Sequence, residues 1–231
     1  MKHLFYIFTF LLITSCGNEK SIQLAEISNS EVSEVLDISP AYIFYDETKP
    51  DSLELNRKNL ISTTNWLVNV DKRLTLDQAI PQIIFLQDKK KNSSHKKEGV
   101  KNYYTCNNTS IKNLGFLDFT DVVYKTYADE KDTEIEKTIF VLDVMVNSMD
   151  EILIQSFLPE TVNTNTTIID GILSDIETIK VSNGFDFDSS GFTINLHFNR
   201  NLSFQEYISI KSLFLSFDAD GPTVSNHEFI Y

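Results

Sequence analysis

The segment VNVDKRLTLDQAI, residues 68–80, combines a strand, a turn and the start of a helix in one short stretch. Apolar residues alternate before Asp71, as is typical of a strand. Thr75 and Gln78 have the spacing of a capping box, in which each side chain satisfies a free amide at the helix start. Pro81 follows, and because proline inside a helix removes a hydrogen bond, we expect the regular helix to begin near Ile80.

A similar arrangement returns 128 residues later, in LHFNRNLSFQEYI at residues 196–208. Two positions are identical, and others are alike in chemical kind: Leu74/Leu202, Ile80/Ile208, Val68/Leu196, Val70/Phe198, Asp71/Asn199, Lys72/Arg200, Thr75/Ser203, Leu76/Phe204 and Gln78/Glu206. The sequence leaves two interpretations open. Either one unit was duplicated, or any strand followed by a capped helix draws on the same residue types.

The remaining patterns predict an α+β fold with mostly antiparallel strands and a few amphipathic helices. TNWLVNV, residues 64–70, alternates like a half-buried strand, and residues 137–158 resemble two strands joined by a turn at residues 148–150. The clearest helix is at residues 166–184, where apolar residues recur at helical spacing. We expect two α+β units, at residues 40–127 and 128–231, which under the first of the two interpretations are related strand-turn-helix-strand units. The predicted helical stripe consists of Ile168, Ile169, Ile172, Leu173, Ile176 and Ile179.

The first sixteen residues have the pattern of a secretion signal. Lys2 is followed by the apolar run LFYIFTFLLI and then by Thr14, Ser15 and Cys16. A membrane-spanning helix needs roughly 20 apolar residues, so this run is too short to remain as a span. The sequence therefore predicts a signal peptide at residues 1–15.

The residues before Cys16 resemble the lipobox of bacterial lipoproteins. This resemblance implies that Cys16 receives diacylglycerol and further acyl chains such as palmitate, and that cleavage falls between Ser15 and Cys16. Two or more acyl chains make a stable membrane anchor. The alternatives are a plain secretion signal with a chance cysteine, or a buried N-terminal helix. The richness in Ile, Asn, Lys and Phe is similar to lipoproteins of the Bacteroidota, and Gly17 favours the outer membrane, on its periplasmic or surface face.

Residues 16–39 are predicted to be the lipidated cysteine and an acidic tether. The segment has several acidic residues and no sustained apolar period. As a flexible coil, residues 17–39 would span on the order of 25–30 Å, which would lift a domain away from the head groups.

Composition narrows the classes of partner. The net charge of −13 argues against nucleic acid or bare anionic lipid as the main partner. The hydrophobic content of 42% is enough for a sizeable core. We expect the membrane, through the lipid, and an envelope protein as partners.

A lysine-rich segment, residues 88–101, stands out in this acidic chain. Its lysines are candidates for contact with phosphates or an acidic partner. The alternative is that the first three complement the negative end of a helix and that the others only solvate a loop. The six lysines are Lys89, Lys90, Lys91, Lys96, Lys97 and Lys101.

Other chemical groups give weaker signals. Cys106 is interpreted as an inert thiol, and His197 as a residue on the polar side of a strand. Asp186, Asp188, Ser190 and Gly191 match the start of a calcium loop but lack its final glutamate, so they favour a hairpin turn. The acidic turn at residues 218–221 has the same interpretation. We expect no metal, no cofactor and no catalytic residue.

The sequence thus predicts a lipid-anchored cell-envelope protein that acts as a binding or assembly component and not as an enzyme. One alternative is an exported hydrolase, for which Cys106, His95 or the turn with Asp186 and Asp188 would line one cleft. Another is an accessory subunit of an envelope transport or gliding complex, which would present an exposed apolar patch or an unpaired sheet edge.

Overall fold

The computed structural model describes residues 20–95, 97–126, 140–158, 161–182, 192–217 and 222–231. Strands and helices in these ranges form two sheets with helices packed on them. A 3-10 turn at Ile169–Gly171 precedes the second helix. The elements are β1 (Glu26–Ile27), β2 (Ile38–Tyr45), β3 (Leu53–Asn56), β4 (Asn65–Val70), α1 (Leu76–Lys91), β5 (Asn102–Asn108), β6 (Asn113–Asp118), β7 (Val123–Thr126), β8 (Phe140–Ser148), β9 (Glu151–Leu158), β10 (Thr161–Thr167), α2 (Ile172–Ser182), β11 (Phe192–Phe198), α3 (Phe204–Phe214) and β12 (Thr223–Ile230).

The first sheet has the central order β3-β2-β4-β5, and both β1 and β6 pair with β5. Strands β2, β4 and β5 are parallel, while β3 and β6 run antiparallel to their neighbours. Parallel neighbours need a crossover connection, and α1 supplies it between β4 and β5.

The second sheet repeats this plan. Its central order is β9-β8-β11-β12, with β10 and β7 at the edges. As in the first sheet, an antiparallel hairpin strand lies beside three parallel strands. A helix, here α3, connects the last two parallel strands. Four strands of each sheet therefore agree in order and in direction.

The expected mostly antiparallel fold is wrong. Six strand pairs in the described ranges are parallel and four are antiparallel, so both sheets are mixed and the fold is α/β-like. The reason is visible in β4, for which a half-buried strand was expected. Every residue from Trp66 to Val70 is buried, since β4 lies between two parallel strands and is covered on both faces.

The two capped helices meet at their starts. Both capping boxes are formed, on Thr75 and on Ser203, and α1 begins at Leu76 with Pro81 inside it, not near Ile80. Thr75 and Ser203 pair with each other as an antiparallel bridge. The amide of Leu76 donates to the Leu202 carbonyl at 2.9 Å.

The equivalent bond at the same junction runs from Phe204 to the Leu74 carbonyl at 2.7 Å. A second such pair joins Asp77 to Arg200 at 2.9 Å and Gln205 to Lys72 at 3.2 Å. The contact is therefore self-complementary, because each bond has a counterpart 128 residues away.

A single apolar cluster contains residues of both sheets and all three described helices. Tyr104 of β5 stacks on Phe119 at 4.0 Å between ring centres and meets the edges of Phe204 and Tyr207 from α3. The helix predicted at residues 166–184 is confirmed only from Ile172 onward, where Ile172, Ile176 and Ile179 are buried. Its expected first turn is wrong, because Thr166 and Thr167 belong to β10 and Ile168 is exposed. The predicted hairpin at residues 148–150 is also present, between β8 and β9.

The chain from Lys20 to Ser39 differs from the flexible tether that the sequence suggested. Ala25 and Ile27 are buried in the core, and β1 adds to the first sheet. Val32 and Phe116 exchange two backbone hydrogen bonds. Similarly, β7 falls within the predicted first unit but pairs with β12 of the second sheet. The predicted signal peptide, Ser15 and Cys16 lie outside the described residues. Among the helices described here, none has the length and apolar character to cross a membrane.

Candidate functional site

A groove of about 870 Å³ lies where α1 ends and β5 begins. Its walls come from the last turns of α1, the loop that follows, the segment between β6 and β7, and Asn226 of β12. The loop is positioned because α1 stops at Asn92, whose amide returns to the carbonyls of Asp88 and Lys90. The groove is therefore built by both sheets and is lined by part of the predicted lysine segment.

The structure divides the six predicted lysines. Lys90, Lys91 and Lys97 line the groove. Lys89 instead lines a separate cleft of about 490 Å³, together with Arg57 and Lys58. Lys101 lies beside the groove and forms an ion pair with Asp118 at 2.7 Å, and Lys96 is outside the described residues.

Lys90 is the most constrained of these side chains. Its Nζ donates to the Lys101 carbonyl at 2.8 Å and to Asn102 Oδ1 at 2.9 Å, and it lies 5.1 Å from the centre of the Trp66 ring. Burial lowers the pKa of the Lys90 ammonium to about 8. A nearby anion favours the charged form of a lysine, so a ligand in the groove would raise this pKa.

The other lysines of the groove form only weak ion pairs or none among the contacts described. Lys97 pairs with Asp37 at 2.9 Å, but both side chains are more than half exposed. Exposed ion pairs contribute only about 0–1 kcal/mol, so Lys97 can exchange this partner for a ligand at little cost. Within the described ranges, Lys91 forms no ion pair. Asp88 and Asp121 also line the groove and limit its positive potential.

A buried hydrogen-bonded chain begins in the groove wall at Tyr124. Its hydroxyl contacts the hydroxyl of Tyr104 and lies 3.1 Å from that of Tyr207. Tyr207 then donates to Glu228 at 2.7 Å, and Lys211 donates to the other carboxylate oxygen of Glu228. Burial raises the pKa of all three tyrosines above the ordinary value.

Sequence reasoning missed this chain. Its members come from β5, β7, α3 and β12, and no local spacing connects them. The only signal was a glutamate in the otherwise strand-like segment HEFIY at the end of the sequence.

His95 and His197 lie in different surroundings. His95 is exposed on the loop, where its carbonyl accepts hydrogen bonds from Ser62 and Ser93. His197 is buried, although a polar strand face was expected for it, and its ring stacks on Phe229 with 4.5 Å between centres. Its Nε2 lies 3.5 Å from Asp143 Oδ1, and neither ring nitrogen forms a hydrogen bond.

Cys106 is fully buried in the core shared by the two sheets. Burial raises the pKa of its thiol to about 12, which leaves it protonated and unreactive at neutral pH. The predicted calcium-loop residues Asp186, Asp188, Ser190 and Gly191, and the acidic turn at 218–221, lie outside the described residues. In the part of the chain that is described, no three His, Cys, Asp or Glu side chains group to hold a metal.

Comparison with protein-family models, with curated proteins and with solved structures gives no match to this chain.

Proposed function

We propose that this chain is a lipid-anchored protein of the bacterial cell envelope that binds an anionic ligand or partner in the lysine-lined groove. The lipid attaches at Cys16, and the outer membrane is the proposed location. The observation that carries the binding role is the groove itself, which Lys90, Lys91 and Lys97 line in a chain of net charge −13.

The size and charge of the groove suit a small anionic group. Ligand pockets commonly measure about 300–1,000 Å³ and contain a few polar groups that orient the ligand. Lysine acts as a point charge toward phosphate or carboxylate. Lys90 supports this role most directly, because a bound anion would stabilise its ammonium and so offset the free-energy cost of its partial loss of hydration.

An assembly role has its own support. Leu36, Ile38 and Ile61 are 73%, 47% and 56% exposed, and they lie at the same end of the first sheet as the groove. Asn65 connects these regions, since its side chain donates to the Leu36 carbonyl and accepts from the Lys101 amide. An acidic protein segment with apolar flanks would fit both surfaces, which keeps the accessory-subunit alternative as the second candidate.

The hydrolase alternative has less support. It required Cys106, His95 or the turn with Asp186 and Asp188 to line one cleft. Cys106 is buried in the core with a raised thiol pKa, and the turn lies outside the described residues.

The binding proposal is tested with pyrophosphate and NMR. The chemical shift of the Lys90 side chain is followed against pH with and without pyrophosphate, and we expect the ligand to raise its pKa. Lys91→Met and Lys97→Met should weaken binding. Lys89→Met is the matched control, since Lys89 lies on the same helix but lines the other cleft. An unchanged Lys90 titration, or equal weakening by Lys89→Met, would contradict the proposal.

The lipid anchor is tested separately. The chain is expressed with its own N-terminus beside Cys16→Ala, and both are compared by intact mass and membrane fractionation. A gain of lipid mass that the variant lacks, together with release of the variant from the membrane, is the expected result. Equal masses and two soluble proteins would contradict the anchor.

A further inference from the structure

The described chain enters the folded body at the carboxyl ends of the parallel strands. Lys20 Nζ contacts Asp46 at 2.8 Å and also pairs with Glu54, and these residues flank the connection from β2 to β3. Just beyond β4, the Lys72 amide donates to the Gln23 carbonyl at 2.7 Å. Residues 20–23 are therefore fixed at the end of the first sheet where its parallel strands finish (the anchored edge).

The lysine-lined groove lies at the opposite end of these strands. Strands β2, β4 and β5 all begin there, and the Lys101 amide, just before β5, donates to Asn65 at the start of β4. Lys97 pairs with Asp37, directly before β2. The eight residues of β2 separate the two edges by about 23 Å, at roughly 3.3 Å per residue.

We infer that the edge holding Lys20 faces the bilayer and that the groove opens on the far side. This inference rests on the proposed lipid at Cys16. Four Cα steps separate Cys16 from Lys20 and span at most about 14 Å. The connection between β2 and β3 is then held close to the membrane surface, in place of the long tether that the sequence suggested.

The orientation identifies where the groove's ligand comes from. Phosphates of lipid head groups and free phosphate compounds share the same chemistry. However, the groove lies about 23 Å beyond the anchored edge, while salt screens charges over about 8 Å at physiological ionic strength. Head groups of the anchoring bilayer therefore do not reach the groove. The ligand is therefore a water-borne anion.

The orientation is measured on the full lipidated chain in vesicles of phosphatidylethanolamine and phosphatidylglycerol. Glu47→Cys places a label beside the anchored edge, and Ser94→Cys places one on the groove loop; both positions are exposed. Buried Cys106 does not react and leaves each label unique. Energy transfer to an acceptor lipid should be much stronger from position 47, with the two labels differing in height by about 23 Å.

Each outcome decides a separate point. Equal transfer from both labels, or stronger transfer from position 94, would overturn the orientation while leaving the anchor in place. Loss of lipid mass and of vesicle association would overturn the anchor and the orientation together. Pyrophosphate affinity should be the same in phosphatidylcholine vesicles with and without phosphatidylglycerol. Competition by phosphatidylglycerol would show that head groups enter the groove and would overturn the water-borne source.

Discussion

Replacing Lys211 by methionine tests the buried ion pair at the end of the tyrosine chain. The Glu228 side chain is 1% exposed and that of Lys211 is 17% exposed. Without the ammonium, the carboxylate keeps only the Tyr207 hydroxyl as a partner among the contacts described. Breaking one partner of a buried pair costs about 3–5 kcal/mol, because a charge remains buried without compensation.

For a chain of this size, 1 kcal/mol corresponds to roughly 2–4 °C in Tm, so we expect Lys211→Met to lower Tm by roughly 6–20 °C. Thermal unfolding followed by far-UV circular dichroism measures the change in Tm, and urea unfolding followed by the fluorescence of Trp66 measures the change in the free energy of unfolding. Lys97→Met is the control, since its pair with Asp37 is exposed on both sides and is worth only about 0–1 kcal/mol.

A double-mutant cycle separates the ion pair from the packing of the lysine stem. Glu228→Gln removes the charge that Lys211→Met leaves unpaired, so the double variant should be more stable than Lys211→Met alone. A free energy of unfolding for Lys211→Met within about 1 kcal/mol of that of the unsubstituted chain would refute the role of the ion pair. Simple addition of the two single effects would also refute it.

Three further predictions concern other parts of the molecule. Because burial lowers the Lys90 pKa to about 8, the folded chain releases this proton at a lower pH than the unfolded chain does. The free energy of unfolding should therefore gain a rising contribution between about pH 8 and about 10.4, and Lys90→Met should remove it in a pH series of urea midpoints. A thiol reagent should leave Cys106 unmodified until urea unfolds the chain, and labelling of the native chain would disprove its burial. A Cβ on Gly115 would lie 2.8 Å from the Ser30 Cβ, so Gly115→Ala should cost about 1–3 kcal/mol in thermal melts; Ser30→Gly should restore part of that loss, and a neutral Gly115→Ala would contradict the packing of this segment.

Features determined by neighbours in sequence were predicted well. The capping box at Thr75 and Gln78 marks the start of α1, and the apolar stripe that includes Ile172 and Ile176 marks α2. The Pro81 argument shifted the expected start too far along, since the first turns of α1 form ahead of the proline. Such signals work because helix hydrogen bonds and caps connect residues three or four positions apart.

Features determined by contacts between distant residues were not predictable in this way. Alternation in the segment that became β4 resembled a half-buried strand, whereas parallel neighbours and two covered faces bury it completely. The supposed tether has few apolar residues, yet burial of Ala25 and Ile27 and pairing with β5 hold it in place. The lysine segment was identified from its composition, but only the fold shows that Lys89 points to a different cleft from Lys90 and Lys91.

The junction between α1 and α3 bears on whether the two halves share an origin. Coincidence accounts for similar residue types in two capped helices, because any such helix uses them. It does not account for four strands that agree in order and direction, with the segments at residues 68–80 and 196–208 in equivalent places. A contact in which residue i meets j and j meets i is the kind found at a two-fold axis, and the paired bonds at Thr75 and Ser203 have this form.

Together these observations favour duplication of one unit over coincidence. The two units share one core, in which Tyr104 of β5 meets Phe204 and Tyr207 of α3. The differences between the halves lie outside the common four strands. The first sheet adds β1 and β6, and the second adds β7 and β10, with α2 between β10 and β11. The lysine-lined groove belongs to this asymmetric part. Lys90 and Lys91 end α1 and Lys97 lies in the loop after it. The sequence has no lysine 128 residues later, where Asp218, Ala219 and Ser225 stand instead.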